Sequence, residues 1–128
     1  MAPPLLLAGG VLAVSVALHV RDPHQSGAWG FCPWLLMTGT YCPGCGGLRA
    51  VNDLTRGDVG AAAASNLFLV TMLPVVAVMW VRSVRQRWRG RLTPMAPRVV
   101  NLVAALVVTW MAVFSVWRNL PVGQWLTP

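Results

Sequence analysis

The sequence has no lysine, no glutamate and only three aspartates in 128 residues. Ten arginines leave a net charge of +7, yet charged residues make up only 10% of the chain against 56% hydrophobic. A small globule has a large surface for its volume and needs many polar side chains to cover it. The scarcity of charge therefore excludes a soluble enzyme domain, a nucleic-acid-binding module and a disordered tail. Cysteine is confined too. All three thiols, Cys32, Cys42 and Cys45, fall in one stretch between the apolar runs.

Three segments carry no charged residue: Met1 to Val20, Val59 to Val81 and Val99 to Trp117. At ~1.5 Å rise per residue each matches the ~17–20 residues that cross a ~30 Å hydrocarbon core. The fold class expected is an all-α membrane protein, with spans at about 3–20, 59–81 and 99–117. Pro3 and Pro4 suit a first helical turn, where a missing N–H is no loss. The first run lacks the Lys or Arg and the small-x-small site of a cleaved signal peptide, so it is expected to stay. Gly9, Ala13 and Ala17 form a stripe of small residues that favours close helix approach. Gly57 can close one helix and Asp58 cap the next. Asn66, two turns into the second span, is expected to face another helix or a wet recess, and Pro74 to kink that span.

The arginines give the orientation. The loop 82–98 holds Arg82, Arg85, Arg87, Arg89, Arg91 and Arg98 and no acid, whereas the loop 21–58 balances three Arg with three Asp. The positive-inside rule puts 82–98 and the N-terminus in the cytoplasm, and the loop 21–58 and the tail 118–128 outside. Trp80 and Trp88 suit the inner interface, and Trp29, Trp34, Trp117 and Trp125 the outer one. The lipid bilayer is thus the first partner. A second membrane protein or another copy of the chain is the natural second for so small a chain, with no role for nucleic acid.

The outer loop carries the chemistry. Cys42-Pro43-Gly44-Cys45 is a C-x-x-C followed by Gly46 and Gly47, and Leu48 to Arg56 reads as a short amphipathic helix, interfacial or re-entrant. Three chemistries are open. Cys42 and Cys45 as a redox pair would have Cys45 near a helix N-terminus, one turn from Arg49, with a lowered pKa. Cys32, Cys42 and Cys45 as metal ligands would need a fourth for zinc, for which His24 is available and His19, at the end of a span, is less suited. A disulfide from Cys32 to Cys42 or Cys45 would pin the loop in an oxidising setting and leave one thiol over. A structural lock, by disulfide or metal, is favoured over catalysis because no βαβ context surrounds the C-x-x-C.

Cys32-Pro33, Thr38-Gly39, Cys42-Pro43-Gly44-Cys45-Gly46, Arg49-Ala50, Gly57-Asp58, Asn66 and Arg118-Asn119-Leu120-Pro121 together resemble the domain-of-unknown-function family numbered twenty-seven fifty-two, small bacterial integral membrane proteins. The core of the resemblance is C-P-x-C-G-x-x-R-A. The chain departs from that pattern at Leu48, where the family has Thr, and at Asn66-Leu67, where it has Asn-Pro. The resemblance implies a bacterial plasma-membrane location and brings no activity with it.

The functional expectation is an accessory or partner-binding membrane protein with a disulfide- or metal-locked outer loop, rather than an enzyme. Two alternatives stand beside it. One is a membrane thiol–disulfide oxidoreductase using Cys42 and Cys45. The other is an anion or lipid-headgroup binder using Arg49, Arg56 and Arg118, against the plainer expectation that Arg49 pairs with Asp53 and Arg118 extends to the interface.

Overall fold

A computed structural model describes residues 2–25, 29, 32–90 and 93–127. Arg91 of the basic loop, together with residues 26–28, 30 and 31 of the long loop, lies outside the described residues. The described chain is entirely helical: α1 Ala2–Val20, α2 Pro33–Thr38, α3 Gly47–Thr55, α4 Val59–Trp88, α5 Pro97–Arg118, and a 3-10 helix over Pro121–Leu126. Two of these, α4 and α5, are long and apolar enough to cross a membrane, with mean hydropathies of 2.0 and 2.3 over their best windows. α1 is a shorter apolar helix.

The apolar helices alternate in direction and touch at several levels. Trp80 near the end of α4 donates to Pro4 O at the start of α1 (3.2 Å), and Trp110 of α5 donates to Thr71 Oγ1 of α4 (2.9 Å). Phe68 of α4 stacks on Phe114 of α5 with ring centroids 6.2 Å apart. The buried apolar side chains, Leu18, Ala50, Ala62, Phe114 and Leu126, sit where the C-terminal ends of α1 and α5, the N-terminal end of α4 and all of α3 meet. Elsewhere the long helices present Leu, Val and Met outward around much of their circumference. Gly9, Ala13 and Ala17 are all exposed, so the small-residue stripe of α1 packs against none of the described residues.

α3 is built with its polar side inward. Ala50, Asn52 and Asp53 are buried while Leu48 is exposed. Asn52 donates to Leu18 O (2.7 Å), one of the last-turn carbonyls of α1 that has no partner within its own helix. Thr55 and the His19 ring share a hydrogen bond of 2.9 Å beside it. α3 thus closes the end of α1. Gly46 and Gly57, at φ of 78° and 80°, bracket α3 in the left-handed conformation that glycine adopts at little cost. Asp58 then caps α4, accepting from the Ala61 N–H at 2.8 Å, as the Gly57-Asp58 pair predicts.

α4 carries a backbone break that was not expected from the sequence. The residue with non-helical backbone is Asn66 (φ −159°, ψ 90°), and Pro74 sits inside the continuing helix. The reason lies in the asparagine amide. Asn66 Oδ1 accepts from the Leu69 N–H (2.8 Å), the N-cap bond of a helix that restarts at Leu67. Position 67 is therefore a first helical residue, where proline is favoured. Leu67 fills it without the ring, so this departure from the family pattern leaves the break intact.

Candidate metal centre

The break at Asn66 frees its side chain for the cysteine loop. Its Nδ2 donates to Pro43 O (2.9 Å) and Cys45 O (3.1 Å), and the residue is almost wholly buried. From the other side comes Arg118, the last residue of α5, with no exposed surface at all. Arg118 Nη1 donates to Cys42 O (2.9 Å) and Cys45 O (3.0 Å), and Nη2 donates to Leu126 O (2.9 Å). The guanidinium also lies over the Phe114 and Tyr41 rings, 4.9 and 5.4 Å from their centroids. Asn119 completes the grip. Its Oδ1 accepts from Tyr41 N–H (2.8 Å) and its Nδ2 donates to Tyr41 O (2.9 Å). The C-P-G-C turn is held from two helices by its own backbone, which leaves its sulfurs free to converge.

The tail makes this clamp possible. Gly123 packs on the last turn of α5 so closely that a Cβ there would lie 2.0 Å from Trp117 O and 2.7 Å from its carbonyl carbon. Only glycine allows the 3-10 helix to fold back and bring Leu126 O to Arg118. Trp117 and Trp125 meet edge to face (6.3 Å) over the same fold.

The three thiols converge. Cys32 Sγ is 3.6 Å from Cys42 Sγ, Cys42 Sγ is 3.0 Å from Cys45 Sγ, and all three lie within 4.8 Å of one another. In a tetrahedral zinc site with Zn–S of ~2.3 Å the sulfurs stand ~3.8 Å apart. The set needs only small side-chain adjustments to surround such an ion. Cys45 is buried, whereas Cys32 and Cys42 are half-buried.

Two sequence expectations about this site are corrected. Cys45 was expected to carry the lowered pKa, but burial, with the Cys42 and Cys32 thiols adding to it, pushes it up to about 12. The desolvation cost exceeds what the nearby helix end offsets. The thiol drawn below its ordinary range is Cys32, through the backbone N–H of Leu35 at the start of α2, aided by the Cys45 thiol. His24, expected as a fourth ligand, is directed elsewhere. Its Nδ1 meets Asp22 Oδ1 at 2.8 Å and its Nε2 meets Asp53 Oδ1 at 3.4 Å, so both ring nitrogens face carboxylates.

The arginines do not form one group. Arg118 is buried under the tail instead of extending to the interface. Arg49 Nε donates to Pro23 O (3.3 Å) in place of an Asp53 pair, and Arg56 pairs with Asp22 (3.0 Å). Asp53 instead accepts from Ser65 Oγ at 2.9 Å. Asn52, Asn119 and Gly123 are the structural residues that the sequence alone did not single out. Asn119 stood only inside a family motif, and Gly123 had no signal beyond being a glycine near a helix end.

No curated protein and no solved structure matches the chain. Residues 32–80 hold the three cysteines, α3 and the break at Asn66, and this segment is similar to the family described as Protein of unknown function (DUF2752), the family that its C-P-x-C-G-x-x-R-A motif resembles.

Proposed function

We propose that this is a three-span membrane protein whose Cys32, Cys42 and Cys45 bind one thiophilic divalent metal ion, zinc first, and so lock the outer loop across the ends of the helices. The observation that carries the reading is the convergence of three sulfurs beside a wholly buried arginine that has no carboxylate partner among the described residues. Soft thiolates select zinc and similar ions over magnesium or calcium. A fully buried guanidinium among carbonyls favours an anionic neighbour, and a zinc tris-thiolate is one. The role that follows is accessory: a rigid extramembrane cap, held by metal, that presents a surface to a membrane partner or to a second copy of the chain.

Three spans are supported by the apolar circumference of α1 as well as of α4 and α5. The arginine-rich 82–98 loop favours a cytoplasmic placement of that end, with the cysteines and the tail outside and the N-terminus inside. The polar-inward build of α3, with Leu48 outward, suits a helix lying at the headgroup level. Elemental analysis of the purified, detergent-solubilised protein tests the reading: close to one zinc per chain, lost in Cys42→Ser. A folded protein with no bound metal and a Cys42–Cys45 disulfide would overturn it in favour of the oxidoreductase, for which the 3.0 Å approach of those two sulfurs is the supporting observation.

A further inference from the structure

We infer that the metal bound by Cys32, Cys42 and Cys45 keeps an open fourth position, held at rest by water and able to accept a small neutral donor, so that the centre is a ligand-binding site and not only a closed structural lock. The inference rests on the metal reading above and follows from counting the donors of the whole chain. Beyond the three cysteines, the His, Asp and Glu residues of the sequence are His19, His24, Asp22, Asp53 and Asp58. Each is engaged away from the sulfurs. His19 bonds Thr55, His24 lies between Asp22 and Asp53, Asp22 pairs with Arg56, Asp53 accepts from Ser65, and Asp58 caps α4. The residues outside the described set include no His, Cys, Asp or Glu. The described residues therefore supply three such ligands and no fourth side chain. Zinc bound by three protein ligands and a water is the arrangement of reactive sites, whereas closed sites have four.

Charge sets the kind of ligand that completes the shell. Three thiolates and a divalent ion carry a net charge of −1. Arg118 is the buried cation beside them, and among the described residues its Nε meets no acceptor and no carboxylate pairs with it. The pair sums to zero. A neutral fourth donor, such as water or an imidazole nitrogen, preserves that balance in a weakly polar surrounding, and an anionic donor would break it. Access comes from the loop face, where Cys32 and Cys42 are part-exposed and Gly44 is exposed with no side chain beside the Cys42 sulfur.

The test uses the full-length protein in detergent, loaded with cobalt(II) in place of zinc and titrated with imidazole and, separately, with azide. The expected result is a sulfur-to-cobalt charge-transfer band that persists while the d–d bands shift saturably with imidazole, and azide binding at least tenfold more weakly. Unchanged d–d bands in excess imidazole, with the charge-transfer band intact, would show a closed shell and overturn this inference while leaving the metal reading standing. Absence of the charge-transfer band would instead remove the metal reading and this inference with it. Azide binding as tight as imidazole would overturn the charge argument for a neutral donor.

Discussion

Replacing Arg118 by methionine separates the clamp from the charge. The substitution removes hydrogen bonds to Cys42 O, Cys45 O and Leu126 O. Cys42 O keeps the Cys45 N–H at 3.1 Å and Cys45 O keeps Asn66, so Leu126 O is the carbonyl that loses its donor to the clamp. Bonds to a charged group are worth ~1.5–3 kcal/mol each, but burying an uncompensated guanidinium costs several kcal/mol, which the variant recovers. The metal-free protein should therefore change in stability by no more than about 2 kcal/mol. Metal binding responds differently. With Nη1 bonded to the Cys42 and Cys45 carbonyls, the guanidinium lies roughly 6–8 Å from an ion held by those residues' sulfurs. At an effective dielectric of about 20, unit charges at that range interact by about 2–3 kcal/mol. Zinc affinity should fall roughly thirty- to hundredfold, measured by competition with a chromophoric chelator in detergent. Arg118→Lys should recover part of the loss, since it keeps the charge without the forked geometry. Zinc binding by Arg118→Met within about twofold of the parent protein would refute the counter-charge argument.

Other expectations follow from the same geometry. Gly123→Ala forces a Cβ against Trp117 O, so the tail should lift, the Trp117–Trp125 contact should open with a shift in tryptophan emission, and thermal stability should drop by about 1–3 kcal/mol, the usual cost of overpacking. Asn66→Ala removes a helix cap and two donors to the C-P-G-C turn; a loss of about 2–4 kcal/mol by thermal unfolding is expected, and a loss below about 0.5 kcal/mol would show that the break in α4 does not need it. Cys45, pushed up to about 12, holds its proton at neutral pH and must release it to a metal. Apparent zinc affinity should thus rise at least about tenfold per pH unit between pH 6 and 8, read by the same chelator competition, and a flat profile would count against ligation by Cys45.

How far the sequence carried these features depended on their range. The apolar helices, the Gly57-Asp58 junction and the helix after the cysteines were legible because periodicity and capping act within a few residues. The break at Asn66 was not anticipated, since an asparagine that caps a restarted helix resembles any tolerated polar residue. The position of Arg118 depended on contacts 73 and 76 residues away in sequence, which no local pattern encodes. The same holds for His24. Its availability as a ligand was a matter of counting, and its engagement by Asp22 and Asp53 is a matter of packing. The Cys45 thiol failed for a physical reason: proximity to a helix end and an arginine predicts a lowered pKa only when the sulfur remains solvated, and here it is buried.

The central claim is that three cysteines act together on one ion. X-ray absorption at the zinc edge of the purified protein tests it most directly. The account predicts three sulfur scatterers at about 2.3 Å with one lighter N or O neighbour. Two or fewer sulfurs, with a Cys42–Cys45 disulfide recovered from the same sample by mass spectrometry, would contradict it.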